Sequence, residues 1–274
     1  MTTLLSELDW RAMSQEERDL GLNNGVAAPG SVEMVAGWEQ RSGEMRRRYP
    51  DHLDLRYGTR ERNRIDFLKT REGGPTLLFI HGGYWQARAK EVFTVFAEGP
   101  IAHGINVALI GYTLAPEVMM DEIVAEIHAG IDSLIAQLPA LGVAAEGIVV
   151  SGWSAGGHLT SMALSHPKVK AGMAISGIYD LEPIRLSYIN DKLGLDEDAV
   201  RRLSPVHRPS SGKPLVVAYG TGELPELQRQ SQLYASARNA RLEPLPGHDH
   251  FTILEELAAP SGRLTALART LMDG

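Results

Sequence analysis

Largely apolar runs of strand length constrain this chain more than any other feature: TLLFI at 76–80, INVALI at 105–110, GIVVS at 147–151, AGMAIS at 171–176 and PLVVAYG at 214–220. Each is as long as a strand and too short for a typical helix. A strand that is apolar along its whole length must be covered on both faces, the condition of strands in a parallel sheet flanked by helices. Stretches of helical length separate the runs, near 89–102, 120–137, after Ser154 and from about 225. Strand and helix in alternation predict the α/β class, a mostly parallel central sheet with helices on both faces. LDLRYG (53–58) and RIDFLKT (64–70) alternate only in part and suit an edge of that sheet. RLEPL at 241–245 is expected as a last strand.

The 274 residues and 43% hydrophobic content suit one domain over 1–274 with a large core. Residues 1–50 are polar and expected as a helical segment packed on that domain. Ser14 and Glu17 have capping-box spacing, and Met34, Val35, Trp38 and Met45 recur at helical intervals after Ser31. Residues 178–212 are irregular and polar, and are expected as a lid insertion.

Charge and composition exclude several functions. A net charge of -7 argues against nucleic acid as a partner. Arg46, Arg47 and Arg48 form the basic cluster, read as a solvated helix end, where cations suit the helix dipole. The absence of cysteine removes disulfides, thiolate nucleophiles and cysteine zinc sites. At the N-terminus, Leu4 and Leu5 run into Glu7 and Asp9 with no basic start, so no signal peptide is read. No segment reaches the roughly 18 apolar residues of a membrane helix. The expectation is a cytoplasmic protein with no membrane and no nucleic acid among its partners and no cofactor; a homodimer is compatible with it.

The chemistry centres on Gly152-Trp153-Ser154-Ala155-Gly156, which follows an apolar strand and precedes a helical stretch. This is the context of a nucleophilic serine on a sharp strand-to-helix turn. Small residues at 152 and 156 let neighbouring elements close in, and the Ala155 amide lies at a helix N-terminus, where an oxyanion is stabilised. His81-Gly82-Gly83-Tyr84-Trp85 directly follows TLLFI, at the carboxyl end of a strand. Ligands bind at that edge of such sheets. The Gly83 and Tyr84 amides are the expected further oxyanion donors, with Gly82 supporting the turn. His81 is read as structural. Gly82, Trp85 and Trp153 are expected around a substrate pocket, with core packing the competing reading for the two tryptophans.

These motifs, with YTLAP (112–116), GWSAGGH (152–158), SGIYDL (176–181), DHF (249–251) and the stretch Glu223-Leu224-Pro225-Glu226-Leu227-Gln228-Arg229-Gln230-Ser231, resemble the hormone-sensitive-lipase-like branch of the α/β-hydrolases. Within it the chain is most similar to the kynurenine formamidase (arylformamidase) and carboxylesterase group. It departs from that group at Leu22-Asn23, where a Tyr-Asn pair is common. The resemblance implies an α/β-hydrolase fold with a small helical lid drawn partly from the N-terminal segment. It also implies a serine hydrolase that cleaves a small carboxylic ester through an acyl-enzyme. The alternative is an arylformamidase acting on N-formylkynurenine or a similar small amide.

Chain order in this fold is serine, acid, histidine. His250, in GHDHF, is the expected base and His248 its rival. A metal held by His248, Asp249 and His250 is disfavoured, because a serine nucleophile leaves a metal without a task, so no metal is expected. Glu223, in the loop after PLVVAYG, is the expected acid. Asp180 is expected to cap the turn into LEPI, and Asp249 lies too close to His250 in sequence. Met119, Met120, Tyr188 and Ile189 are expected in a lid, and Arg185 on the surface or paired with a substrate carboxylate.

Overall fold

A computed structural model describes residues 8–70 and 73–273. The reading of the N-terminus on Leu4, Leu5 and Glu7 lies outside these residues. Among the described residues the strands are β1 (Leu55–Arg56), β2 (Arg64–Leu68), β3 (Thr76–Ile80), β4 (Asn106–Ile110), β5 (Ile148–Trp153), β6 (Val169–Ile175), β7 (Leu215–Gly220) and β8 (Arg241–Leu245). They form one sheet in the order β1-β2-β4-β3-β5-β6-β7-β8. β1, β2 and β4 pair antiparallel, and every pairing from β4 to β8 is parallel. The apolar runs become β3 to β7, and β3, β4, β5 and β7 are buried at every position. The register sets Ile80 beside Gly152 and Trp153 beside Ile175, so the loops after β3, β5 and β6 leave the sheet together.

Helices cover both faces. They are α1 (Gln15–Leu20), α2 (Asn24–Ala27), α3 (Ser31–Arg48), α4 (Glu98–Ala102), α5 (Met120–Gln137), α6 (Ala155–Ala163), α7 (Glu182–Arg185), α8 (Asn190–Leu193), α9 (Glu197–Leu203), α10 (Pro225–Arg238), α11 (Glu255–Ala258) and α12 (Arg263–Asp273). The stretch near 89–102 is helical in two manners, a 3₁₀ segment over Lys90–Ala97 that continues into α4. One core cluster gathers Ile110, Ile127 and Ile131 with Leu159 and Tyr179, and another gathers Trp38, Phe93 and Phe96 with Trp153 and Phe251.

Two expectations change. Residues 178–212 are not irregular: they carry α7, α8 and α9, because Ile184, Leu193, Val200 and Leu203 find buried positions and the Asp196 side chain caps α9 at Ala199 N. The arginines at the end of α3 are not all solvated. Arg46 pairs with Asp54 and with Asp66, a fully buried carboxylate on β2 that also accepts from Lys90 Nζ at 2.8 Å. A carboxylate without water must be paired, which draws the nearest arginine inward.

The N-terminal segment packs onto α7 and the residues that follow it. α1 starts in the expected capping box of Ser14 and Glu17. Arg11 bonds Glu182 at 2.9 Å, Gln15 Nε2 donates to Leu186 O at 3.2 Å, and Tyr188 N donates to Asp19 Oδ1 at 2.9 Å.

Candidate active site

The turn after β5 brings Ser154 to the carboxyl edge of the sheet with φ 59° and ψ -120°, outside the regions an L-residue adopts without strain. Dense packing holds it there. A Cβ at Gly152 would come within 2.3 Å of Gly156 O, and one at Gly156 within 2.0 Å of Ile80 O. Only glycine lets β3, β5 and α6 approach so closely. Gly157 N and His158 N both donate to Ser154 O, at 2.8 and 3.2 Å. The N–H of Ala155, first in α6, is one of the helix donors without an intrahelical acceptor.

The loop after β7 supplies Glu223, and the loop after β8 supplies His250. His250 Nε2 lies 3.1 Å from Ser154 Oγ, and His250 Nδ1 lies 3.0 Å from Glu223 Oε2. With Nδ1–H donating to the carboxylate, Nε2 is left to accept from the serine hydroxyl. Ser154, Glu223 and His250 are 3%, 5% and 4% exposed. This is a serine, base and acid in series, shielded from water, a geometry that moves a proton off the serine as its oxygen attacks.

The second oxygen of Glu223 is held as firmly. Oε1 accepts from Gly220 N at 2.6 Å and from Ser176 Oγ at 2.6 Å. Trp153 Nε1 donates to His250 O at 2.7 Å, which ties the histidine loop to the residue before Ser154.

Across the site runs the loop after β3. Gly83, Tyr84 and Trp85 have successive positive φ values of 117°, 49° and 58°. Gly83 could not carry a side chain, since its Cβ would fall 2.3 Å from Ala87 O. Tyr84 Oη donates to Leu22 O at 2.7 Å and accepts from Asn24 Nδ2 at 2.9 Å, so the N-terminal segment clamps this loop. Gln86 Nε2 reaches the turn before α8, donating to Ile189 O at 2.6 Å.

The other sequence candidates fall in different places. Trp85 is fully buried with its ring edge-to-face on His158, and Trp153 packs among Trp38, Phe93 and Phe251; both tryptophans sit in the packing behind the loops, not on an open wall. Gly82 is pressed against Trp153, its Cβ position 2.6 Å from that ring. His81 stacks between Tyr112 and Phe93, and burial lowers its pKa from 6.5 to about 4. His248 turns away to Glu256, at 3.4 Å. Asp249 is spent on its own turn, accepting from Phe251 N and Thr252 N at 2.8 Å each. Asp180 accepts from Glu182 N at 3.0 Å, the local turn bond expected of it. Arg185 is taken by Glu182 at 2.8 Å. Met120 and Ile189 are buried, and Met119 and Tyr188 are exposed. Among the described residues no group of three His, Asp or Glu is arranged to hold a metal ion, and no helix is long and apolar enough to cross a membrane.

The sequence reading assigned no role to Ser176 or Asn24. Ser176 stands in the quoted SGIYDL, where a polar residue closing an apolar strand was the available signal. Asn24 left no signal, because its partner Tyr84 is 60 residues away.

Residues 67–207, just over half of the chain, match the BD-FAE family model. A kynurenine formamidase of Salmo salar is 33% identical, over 80% of this chain and 81% of the relative. One of Danio rerio is 29% identical over 94% and 97%. Among solved structures, a Silicibacter protein named only provisionally as a thioesterase superposes with a TM-score of 0.87 at 28% identity, covering 92% of this chain and 99% of its own. The esterase of Pyrobaculum calidifontis superposes with a TM-score of 0.70 at 20% identity, over 87% of this chain and 92% of its own, a likeness of fold.

Proposed function

Since the chain belongs to the BD-FAE family of α/β-hydrolases and is a hydrolase, we propose that it transfers a small acyl group to water by way of Ser154, with an aryl formamide as the favoured substrate and short esters as the second. The reading rests above all on the run Ser154 Oγ, His250 Nε2, His250 Nδ1 and Glu223 Oε2, with contacts of 3.1 and 3.0 Å among side chains that are nearly buried. Ser154 Oγ attacks the carbonyl carbon, and its proton passes to His250 Nε2. The carbonyl oxygen gains the negative charge, and the amides of Ala155, Gly83 and Tyr84 receive it. The tetrahedral intermediate collapses, the bond to the leaving nitrogen or oxygen breaks, and His250 returns the proton to it. Water, deprotonated by His250, then releases the acid and restores the serine.

The two substrate classes have different support. Kynurenine formamidases align over most of this chain and of their own length, which favours a formyl group on an aromatic amine. Isoprenylcysteine methylesterases align over less than half of it, and structural neighbours include esterases, which favours the ester. An acyl-enzyme mechanism serves both. The burial of Ser154 favours a small acyl group.

The test compares kcat/KM on N-formylkynurenine with that on p-nitrophenyl esters from acetyl to decanoyl, with Ser154→Ala as control. The expected order is formamide and acetyl first, with a fall toward the long chains and turnover lowered by several orders of magnitude in the control. A maximum at decanoyl would overturn the small acyl group. Good ester turnover without formamide turnover would leave the ester as the substrate.

A further inference from the structure

We infer that Ser176 is a positioning residue for Glu223, fixing the carboxylate so that one oxygen alone is presented to His250. The inference rests on the serine-hydrolase reading above. Ser176 is fully buried at the end of β6, between the turn that carries Ser154 and the strand that leads to Glu223. Its hydroxyl donates to Glu223 Oε1 at 2.6 Å, within the short range of O–H···O bonds to a charged carboxylate. Its backbone N–H donates to Ala218 O on β7 at 2.7 Å, which ties its position to the strand that bears the acid.

Two further observations separate this from ordinary packing. Ser176 has φ 50°, a left-handed conformation that is rare for a residue with a Cβ. Glycine would adopt it without strain, and it is followed by Gly177. The strain accompanies the aiming of one hydroxyl. A glutamate also has one more rotatable bond than an aspartate, and so needs more restraint to keep a carboxylate in one place. Gly220 N and Ser176 Oγ on Oε1 give that restraint from two directions, and the Oε2 bond to His250 then has a fixed origin.

The experiment is a double-mutant cycle with the full chain and p-nitrophenyl acetate, reading kcat, KM and melting temperature for Ser176→Ala, Glu223→Gln and the double variant. Ser176→Ala should lower kcat about 10- to 100-fold with KM within about twofold. In the Glu223→Gln background the same change should cost less than about threefold, because the charge being positioned is gone. Should Ser176→Ala fail to fold, Ser176→Gly removes the hydroxyl on a backbone suited to it and carries the same expectation. Unchanged kcat in the single variant, or equal losses in both backgrounds, overturns the inference. The controls separate this from the wider reading: if Ser154→Ala and Glu223→Gln keep wild-type turnover, the serine mechanism falls and this inference with it.

Discussion

Ser154 sits at φ 59° and ψ -120°, and such a residue costs about 1–3 kcal/mol that the surrounding packing must offset. The same packing leaves its oxygen 3.1 Å from His250 Nε2. From sequence three acids compete for the place beyond that histidine, Glu223 as the expected one with Asp180 and Asp249 as its rivals. Geometry separates them: Glu223 Oε2 touches Nδ1, whereas Asp180 and Asp249 satisfy their own turns. Glu223→Gln should lower kcat on the order of 10⁴-fold or somewhat less, because the imidazolium formed during attack loses its counter-charge. Asp180→Asn should leave kcat within about threefold and lower stability by roughly 1 kcal/mol, the worth of a capping bond. Turnover and melting temperature of the two variants decide between them; a silent Glu223→Gln beside an inactive Asp180→Asn would move the acid to the loop after β6.

At the scale of elements, the loop after β3 is held from the far end of the chain. Leu22 O and Asn24 Nδ2 both bond Tyr84 Oη, and Tyr84 is itself in a left-handed conformation that a free loop would not keep. α1 and the segment before it reach α7 and its C-terminal flank through Arg11, Gln15 and Asp19. The loop after β3, the N-terminal segment and the stretch from α7 to Ile189 thus share one set of bonds. Tyr84→Phe keeps the ring and removes the oxygen, leaving Leu22 O and Asn24 Nδ2 to find other partners, at about 1–3 kcal/mol. The expected result is a lowered melting temperature and kcat down by about tenfold, as the Gly83 and Tyr84 amides lose their fixed position. Wild-type kcat at full stability would detach the clamp from the chemistry.

For the whole molecule, the notable electrostatic feature is a pair of histidines buried uncharged. His81 and His158 are fully buried, and burial lowers each pKa from 6.5 to about 4. Above pH 6.5 both are neutral in the folded and unfolded chain. As pH falls from 6.5 toward 4, the unfolded chain binds protons that the folded chain refuses, so stability drops, by about 1.4 kcal/mol per pH unit for each histidine. Below about 4 the folded form takes them up too and these two groups add no further slope. A melting-temperature series from pH 7.5 to 4 should therefore bend downward below about 6.5. A flat series would mean that these side chains reach water or a counter-charge. His158 also carries the edge-to-face contact with Trp85 behind the loop after β3, and because the folded chain keeps it neutral down to about pH 4, that contact persists while stability falls.

The sequence by itself determined the sheet and the place of the chemistry along the chain. A run such as TLLFI, apolar from Leu77 to Ile80 and of strand length, suits a strand covered on both sides, and a serine with Gly152 and Gly156 two residues to either side, after such a strand and before a helical stretch, suits a tight turn at the sheet's carboxyl edge. These are local facts, carried by residues within a few positions of one another. Tertiary structure alone decided which of three nearby acids meets His250, that Ser176 and Gly220 hold the far oxygen of Glu223, that Arg46 turns inward to Asp66, and that Trp85 and Trp153 pack behind the site. Ser154 and His250 are 96 residues apart and Tyr84 and Asn24 are 60 apart. A hydrogen bond requires placement to within a few tenths of an ångström, and at such separations only the packed sheet supplies it.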